Sequence, residues 1–586
     1  MLDLVIKSGT IVDGTGAPSY AGDIGVKDGV IAELGKVSSK AKQSVDADGA
    51  IVSPGWVDIH THYDGQVAWD SQVAPSSNHG VTTVVMGNCG VGFAPVRPGD
   101  QDQLIELMEG VEDIPGSALN EGIPWGEWET FEEYMDFLET REYALDVGAQ
   151  LPHGALRSYV MGKRNSLDSN ATAEDIEEMG QHIERAMKAG AMGFSTSRTI
   201  GHRSLTGEPV PGTFAADDEL MGFAKAMKRA GRGVFEVIPS NVIGELEMFG
   251  GEKKSTLEEI ALMGRFSRES GRKVTFTQLQ IAESHDRWRY AFDATDQENA
   301  NGARLFPQVS GRGVGMLTSF RTYHMFMRRK TYIELEHLTK EELIRELLKP
   351  EVKAKILADE DIPHPSAGSM KNIYRHYKAS LHQTFEMEHA ADYEPESERS
   401  IASIANNKGL NAEELMYDAL CKENGTAFSI LLGSNYYQHT LDPLREMIVH
   451  PSSVSGLGDA GAHVNFIADG AMPSFSLIHW VRDRKRGEKL PIEMVIQKQT
   501  GANADLYELH DRGKIALGRR ADLNVIDLAN LSLKKPQIHA DLPAGGTRII
   551  QEVDGYIGTW VNGIQTRANG NDLGARPGRL VRGRYQ

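Results

Sequence analysis

The sequence has little cysteine and no long apolar run, and each absence excludes a class of protein. Two cysteines among 586 residues, Cys89 and Cys421, cannot form a disulfide framework, so we expect a reducing compartment. An acid, Asp3, stands where a signal peptide needs positive charge. The longest uncharged stretch, residues 71–96, is rich in Gly, Ser, Thr and Asn, unlike a membrane span. We therefore predict a cytoplasmic protein that is not bound to a membrane.

The sequence also lacks an excess of basic residues. Its 82 Asp and Glu against 62 Lys and Arg give a formal net charge of -20 at pH 7. Such a surface repels phosphates, so we expect no nucleic-acid partner. The densest basic stretch, residues 482–486, is interrupted by Asp483 and fits a solvated helix face. The 40% of hydrophobic residues are sufficient for a sizeable globular core.

Short apolar runs separated by Gly and Asp turns mark both ends of the chain. Residues 4–6 and 23–26 are typical of strands, and they predict a small antiparallel sheet at the N-terminus. Residues 521–527 and 555–561 repeat the pattern, with a hairpin turn at Asn562 and the following glycine. Both ends therefore predict β-structure.

Between these ends, apolar runs alternate with helical segments. Residues 191–196 follow a helical stretch at 173–188, and residues 234–238 follow another at 219–229. Such alternation indicates parallel strands, because a tight turn cannot join parallel neighbours and a crossover helix is needed. The middle of the chain therefore predicts an α/β sheet, in the form of a barrel. Charged helix formers at 331–393 predict a helical insertion that covers an active site.

Two histidines lie in the segment from Gly55 to Asp64. Side chains two residues apart on a strand point to the same face, so His60 and His62 can converge on one ion at a barrel mouth. With 19 histidines in the chain, about one such pair arises by chance. Two hydrogen-bonded histidines at a strand end are therefore the alternative interpretation.

Two further residues follow apolar runs. Cys89 lies in a glycine-rich turn, where a second barrel strand delivers a ligand to the same mouth, and a thiolate suits zinc. A buried free cysteine is the alternative. Asp459 lies in the segment 456–463, where it can accept a proton from metal-bound water and return it to a leaving nitrogen. The alternative is an aspartate that only stabilises its own turn.

These motifs together resemble those of the amidohydrolase superfamily, in its N-acyl-D-amino-acid deacylase (D-aminoacylase) branch. The resemblance includes residues 11–16, 54–64, 87–90, 190–196 and 518–525, and so covers nearly the whole chain. It implies a metal-dependent hydrolase.

The resemblance also implies an α/β fold in which a (β/α)8 TIM-like barrel adjoins a small β-sandwich domain formed from both termini. We predict residues 1–53 and 501–586 as the two parts of the sandwich. Residues 54–500 form the barrel, with the helical insertion or lid at 331–393.

In this branch the cysteine after the second strand is a metal ligand, in a position that a carboxylated lysine serves elsewhere in the superfamily. The resemblance therefore implies His60, His62 and Cys89 as metal ligands and Asp459 as the catalytic aspartate. We expect Zn²⁺, as one or two ions, with another divalent metal as the alternative.

The sequence departs from the deacylases at strands five and six, where that branch places metal-binding histidines. Here those strand ends carry Glu236 and the pair Gln278 and Gln280. Glu236 can bind zinc through oxygen, whereas a neutral amide is a poor ligand that suits hydrogen bonding to substrate or water. The number of metals is therefore open.

One metal held by His60, His62 and Asp459, with Cys89 or Glu236, leaves a position for water. Metal binding lowers the pKa of that water from 15.7 to about 7, which makes hydroxide available to attack an amide carbonyl. Asp459 then carries the proton to the departing amine.

Several residues are candidates for binding the substrate. His153 and Arg157 follow the third strand, while Arg198 and Arg312 can hold a carboxylate by a bidentate fork. Gln278 and His463 are the other candidates for binding the substrate. For each of them a structural role is the alternative.

We predict hydrolysis of a linear amide bond in an N-acyl amino acid or a related small amide. The alternatives are a cyclic-amide hydrolase or deaminase of the same superfamily, since one fold hosts many reactions, and an inactive metal-poor scaffold. The expected partner is a small-molecule amide substrate, and a homo-oligomer is compatible with the sequence.

Overall fold

The computed structural model describes residues 1–165, 170–244, 246, 249–282, 286–387 and 392–583. Its strands, in chain order, are β1 (Leu2–Ile11), β2 (Tyr20–Lys27), β3 (Val30–Gly35), β4 (Ala41–Asp46), β5 (Ile51–Pro54), β6 (Trp56–Asp58), β7 (Val81–Met86), β8 (Asp146–Pro152), β9 (Gly193–Ser197), β10 (Val234–Ile238), β11 (Val274–Thr277), β12 (Leu305–Val309), β13 (Gly315–Thr318), β14 (Thr384–Glu386), β15 (Ser429–Leu432), β16 (Val454–Ser455), β17 (Leu523–Ile526), β18 (Ser532–Leu533), β19 (Gln537–His539), β20 (Arg548–Ile550), β21 (Val553–Asp554), β22 (Tyr556–Val561), β23 (Ile564–Ala568) and β24 (Asn571–Asp572). Its α-helices are α1 (Gln101–Glu112), α2 (Gly116–Gly122), α3 (Phe131–Glu139), α4 (His153–Met161), α5 (Ala173–Ala189), α6 (Asp217–Ala230), α7 (Thr256–Ser270), α8 (Arg287–Ala300), α9 (Lys330–Leu335), α10 (Lys340–Leu347), α11 (Pro350–Ala358), α12 (Tyr374–Ala379), α13 (Ile401–Lys408), α14 (Ala412–Gly425), α15 (Asp442–Val449), α16 (Met472–Ser476), α17 (Ile492–Gln499) and α18 (Gly501–Leu506).

The barrel consists, within the described ranges, of eight strands in the order β6-β7-β8-β9-β10-β11-β12-β16. Neighbouring strands run parallel, for example β9 with β10 and β10 with β11. Thr61 also pairs in parallel with Ala460, which brings the chain after β6 against the chain after β16 and closes the ring. The prediction of an α/β fold with a (β/α)8 TIM-like barrel is confirmed.

Local sequence fixes the boundaries of the helices around the barrel. Thr172 and Ser255 each form a capping box with an acid three residues later, which satisfies free amide groups at the first turns of α5 and α7. Helices α5, α6 and α7 end at Gly190, Gly231 and Gly271, which adopt the left-handed conformation and lead into the next strand. None of the helices in the described ranges combines the length and apolarity needed to cross a bilayer.

Both ends of the chain join in one sheet of order β24-β23-β22-β17-β5-β1-β2-β3, with β4 on β1. The termini meet where β5 pairs antiparallel with β17, Val52 opposite Val525. Their buried side chains share a core with Leu4, Ile24 and Trp560. The sheet domain built from both termini is therefore present, whereas its exact boundaries stay predictions.

The expected antiparallel character of the N-terminal sheet is wrong in part. Strand β1 pairs antiparallel with β2 but parallel with β4 and β5. The chain reverses direction at each end of β2, so β3 runs in the direction of β1, as do β4 and β5. Alternating apolar runs predict strands but carry no information on their direction.

The helical insertion lies between barrel strands β12 and β16. Helices α9 to α12 pack on a separate hydrophobic core with Phe326, Tyr377 and Tyr417. This region also contains a three-stranded sheet of order β13-β15-β14. Tyr323 donates a hydrogen bond to Asp113 Oδ1 at 2.6 Å, and Ser366 donates one to the Leu205 carbonyl. The insertion therefore contacts loops at the mouth of the barrel.

Candidate metal centre at the barrel mouth

Three buried side chains converge beyond the ends of the first two barrel strands. His60 and His62 follow β6, and Cys89 follows β7. The Cys89 Sγ atom lies 3.4 Å from His60 Nε2 and 3.8 Å from His62 Nε2. One ligand atom from each residue lies within 4.8 Å of the other two. The structure thus brings together the three ligands that the sequence predicts at this mouth.

Asp459 joins this group from the loop after β16. Its Oδ1 lies 3.2 Å from His60 Nε2 and 3.9 Å from His62 Nε2. Its side chain is 27% exposed, whereas the two imidazoles are almost wholly buried. The carboxylate therefore lies between the cluster and the open side of the mouth, where a proton carrier would be needed.

Three residues of the site have left-handed backbones, with φ of 57° at Cys89, 43° at Asp459 and 50° at His463. This conformation costs a residue other than glycine about 1–2 kcal/mol. Such strain persists where the surrounding structure imposes it, and it is concentrated at functional sites. The loops here hold side chains in positions that the local sequence alone does not favour.

Glu236, on barrel strand β10, is wholly buried beside the cluster. Its Oε2 accepts a hydrogen bond from the backbone amide of Cys89 at 3.2 Å, and its Oε1 lies 4.0 Å from His60 Nδ1. It therefore contacts the outer side of His60. Of the predicted glutamines, Gln278 donates its side-chain amide to the Leu279 carbonyl, and Gln280 contacts Asn435 through its backbone amide.

Glu112, the last residue of α1, is a member of the site that the sequence analysis missed. Its Oε2 lies 3.5 Å from His62 Nε2 and 3.6 Å from His463 Nε2. The only signal was an acid on an apolar helix face, one and two turns after Met108 and Leu104, which are buried as Glu112 is. His463, predicted to bind substrate, is thereby placed at the metal cluster.

A second missed residue, Gln308 on β12, fixes the orientation of His60. Its Oε1 lies 2.8 Å from His60 Nδ1 and accepts its proton, which leaves the Nε2 lone pair directed at Cys89 and Asp459. A Cβ atom at Gly456 would lie 2.7 Å from that Gln308 oxygen. Gly456, three residues before Asp459, therefore leaves room for the group that orients His60.

His202 is a third residue that the motifs did not reveal. It lies in the loop after β9, and its Nδ1 is 3.0 Å from the Ser197 hydroxyl. Burial, and then the neighbouring His60, lower the pKa of His202 to about 4. A single histidine in an irregular loop carries no spacing signal, so only the folded loop identifies it.

The imidazoles of the cluster are neutral. Burial lowers the pKa of His60 to about 4 and that of His62 well below its usual range, with His60 itself the next cause for His62. A neutral imidazole offers a lone pair, which is the form that binds metals.

The pKa values of the acids in the cluster are shifted in the opposite direction, upwards. Burial, and then Asp469, raise the pKa of Asp459 to about 8. Burial also raises the pKa of the Glu112 and Glu236 carboxyls well above their usual range, and Asp459 adds to both shifts. Burial and then Glu112 raise the pKa of the Cys89 thiol. A cation among these groups would reverse the shifts, because it favours every anionic form.

The donor set fits a metal ion. Two neutral imidazoles, a thiol and surrounding carboxylates are the ligands that zinc prefers. Within the described part of the chain, Glu112 Oε1, Glu236 Oε1 and His62 Nδ1 are buried without a hydrogen-bond partner. Buried anions without partners are costly, and coordination or neutralisation by a cation removes that cost.

Two candidates for substrate binding, His153 and Arg157, contact the same buried carboxylate. His153 Nε2 and Arg157 Nε each lie 3.0 Å from Glu219 Oε1. His153 Nδ1 also lies 2.9 Å from the Thr196 hydroxyl. The structure therefore places both residues in a buried network between the barrel and α6.

The other two arginines are paired in a similar way. Arg198 Nε lies 2.9 Å from Glu259, and Arg312 lies 2.8 Å from Asp469. The Arg312 guanidinium also stacks over the Tyr393 ring at 3.7 Å. Both arginines are buried and held by their partners.

Comparisons with known proteins agree with this geometry. The profile of the amidohydrolase family matches residues 43–566. An uncharacterized protein of Mycobacterium tuberculosis is 25% identical over 549 residues, 90% of this chain and 85% of that protein. A D-aminoacylase of Alcaligenes xylosoxydans xylosoxydans is 35% identical over 195 residues, 33% of this chain and 37% of the enzyme. The crystal structure of an N-acyl-D-glutamate deacylase from Bordetella bronchiseptica, complexed with zinc and a phosphonate inhibitor, has a TM-score of 0.62 at 22% identity and 99% coverage of each chain.

Fold and site define a class of protein: a (β/α)8 barrel hydrolase with side chains at its mouth that could hold a metal ion. More particularly, the chain belongs to the amidohydrolase family. Its predicted resemblance to the D-aminoacylase branch is confirmed.

Proposed function

We propose that this chain is a metal-dependent hydrolase that cleaves the linear amide bond of an N-acyl amino acid or a related small amide. The observation that carries the proposal is the convergence of His60, His62 and Cys89 within 4.8 Å, with Asp459 3.2 Å from His60. Similarity to a D-aminoacylase and to a zinc-bound N-acyl-D-glutamate deacylase supports this substrate class.

The proposed metal is zinc, as one or two ions, with another divalent metal as the alternative. Its ligands would come from His60, His62, Cys89, Asp459 and Glu236. When bound, such an ion supplies water activated for attack on a carbonyl carbon. The chain holds the imidazoles in place through Gln308 and through the buried walls of the mouth.

Asp459 is the proposed general acid and base. Its carboxylate takes the proton of the attacking water and delivers it to the nitrogen of the departing amine, so that the C–N bond breaks as a neutral amine leaves. Its partial exposure and its 3.2 Å distance to His60 Nε2 support this role.

Substrate contacts remain proposals. His463 lies at the cluster and is 24% exposed at its side chain, so it can contact a bound amide. His153, Arg157, Arg198, Gln278 and Arg312 stay predictions for substrate binding. The cytoplasmic location and a homo-oligomeric state also stay predictions from the sequence.

Two measurements test the proposed function. Elemental analysis of protein purified without added metal should show at least about half an equivalent of zinc or a similar ion. Release of free amine should be measured with N-acyl-D-amino acids, their L-enantiomers and hydantoins as substrates. We expect release from a linear N-acyl amino acid. Activity on hydantoins alone would replace the proposal with cyclic-amide hydrolysis, and a folded protein without metal or activity would favour a scaffold.

A further inference from the structure

We propose that Glu112, at the end of α1, is a direct carboxylate ligand of the metal ion that His60, His62 and Cys89 bind. This inference rests on the proposed metal centre and adds to it a ligand from a helix outside the barrel strands. Glu112 carries no motif in the sequence, and its position becomes visible only when α1 packs against the mouth.

The first argument is the side of the imidazole that Glu112 faces. For His60, Gln308 accepts from Nδ1, while Nε2 is directed at the cluster. A carboxylate that merely orients a ligating histidine takes the same kind of position, on the nitrogen away from the metal. Glu112 instead lies 3.5 Å from His62 Nε2, the nitrogen that faces Cys89 Sγ at 3.8 Å. It is therefore on the ligand side of His62.

The second argument is distance. A hydrogen bond between nitrogen and oxygen spans about 2.7–3.2 Å, so the 3.5 Å contact between Glu112 and His62 is too long for one. Zinc–ligand bonds of about 2.0–2.3 Å in tetrahedral geometry separate neighbouring ligand atoms by roughly 3.3–3.8 Å. The distances from Cys89 Sγ to His60, 3.4 Å, and to His62, 3.8 Å, lie in the same interval. Glu112 therefore has the spacing of a ligand.

The third argument is the cost of burying this carboxylate. Glu112 is 1% exposed, and its Oε1 has no hydrogen-bond partner among the residues that the structure describes. Within the same residues, its carboxyl contacts the histidines 62 and 463, whose pKa values burial lowers, and the Cys89 thiol, and no lysine or arginine neutralises it. A buried acid in such surroundings is unfavourable unless a cation binds it.

Glu112 also accounts for a departure in the ligand pattern. Strands β10 and β11 lack the histidines that the deacylase branch places there, and Gln278 contacts the Leu279 carbonyl. The Glu112 carboxylate, from α1, adds a ligand to those that follow the barrel strands. Glu112 then joins the proposed ligands His60, His62, Cys89, Asp459 and Glu236.

The test measures zinc affinity and stability in two variants, Glu112→Gln and Glu112→Leu. Both should lose zinc affinity by more than about 100-fold, because removal of a residue that only orients a ligand costs about 10–100-fold. The zinc-free forms should be as stable as the zinc-free wild type or more so in thermal unfolding, since the change removes a buried acid that no lysine or arginine neutralises. Glu106→Gln, an exposed acid on the same helix, is the matched control and should keep wild-type affinity.

The outcomes separate this inference from the proposed function. Wild-type protein that binds no zinc would defeat the proposed metal centre itself. Wild-type protein that binds zinc, together with an affinity loss of less than about 100-fold in either variant, would overturn the role of Glu112 and leave the proposed function standing. Destabilised zinc-free variants would also overturn it, because they would show a purely structural role.

Discussion

The acids at the barrel mouth and the acids around it have opposite surroundings. Around the mouth, several buried carboxylates are paired with an arginine, as in the pairs of Arg198 with Glu259 and Arg312 with Asp469. At the mouth, Glu112 and Glu236 surround two neutral imidazoles, and the described residues give neither of them an arginine or lysine. The first region contains the cations that balance its acids, whereas the acids of the second can ionise without an excess of buried charge only when a cation is added.

Functional and structural charges can be separated by whether a buried acid has a cationic partner. Buried ion pairs perturb pKa values as strongly as active sites do, so a shifted pKa alone does not mark a site. The excess of acids over cations in one buried cluster is a sharper criterion, because an uncompensated buried charge is strongly destabilising. Variants of the two regions should therefore differ in what they change: metal and turnover at the mouth, stability around it.

The largest effect should come from Asp459 at the mouth. Asp459→Asn should lower kcat by roughly two to four orders of magnitude through loss of the general acid and base, while the fold and most of the metal remain. Steady-state kinetics with elemental analysis measures both. The His60→Ala/His62→Ala double variant is the contrast and should lose the metal instead. An unchanged rate in Asp459→Asn would remove this residue from the mechanism.

The next largest effect should come from the paired region. Arg198→Met leaves Glu259 buried without its partner and should cost about 3–5 kcal/mol in free energy of unfolding, measured with denaturant. The Arg198→Met/Glu259→Leu double variant should recover most of that loss. Arg185→Ala, which removes an exposed pair with Glu132, is the control and should cost about 1 kcal/mol or less. A raised KM with unchanged stability in Arg198→Met would indicate that Arg198 binds substrate, and would contradict the proposed difference between the mouth and the paired region.

A smaller effect should come from the residue that orients His60. Gln308→Leu removes the acceptor of the Nδ1 proton at 2.8 Å and should reduce metal affinity by about 10–100-fold. A competitive titration against a chelator measures the change, with Gln278→Leu as the comparison because its amide contacts a backbone carbonyl instead. Equal losses in the two variants would show that Gln308 has no special role at the centre.

The smallest effect should come from an ion pair outside both regions. Arg164 hydrogen-bonds Asp175 and lowers the pKa of that carboxyl to about 2. Because the folded pKa lies below the unfolded value, the stabilisation is present above about pH 4 and is lost as the pH falls towards 2. Arg164 is about half exposed, so the gain is below about 1 kcal/mol. Unfolding measured between pH 2 and 6 should show this dependence in the wild type and a weaker one in Arg164→Ala; identical pH profiles would contradict it.

Much of the fold was predictable because its signals are local. Helices α5 and α7 begin at capping boxes, and α5, α6 and α7 end at glycines that lead into strands. His60, His62 and Cys89 were predictable for the same reason, since each follows an apolar strand at a fixed spacing. The direction of β4 and β5 relative to β1 was not predictable, because the periodicity of a strand does not indicate in which direction its neighbour runs.

Local sequence was sufficient to predict which elements form and which side chains lie at the ends of the first two barrel strands, because backbone preference and side-chain alternation act over a few residues. The positions of Glu112 and Gln308 beside them, and of Arg198 and Arg312 against buried acids, depend on the packing of the folded chain. Those contacts join residues far apart in the chain, and they form because packing of the barrel, its outer helices and the insertion brings these side chains together. Whether a buried charge is paired with another side chain or left for a cation is therefore a property of the packed molecule.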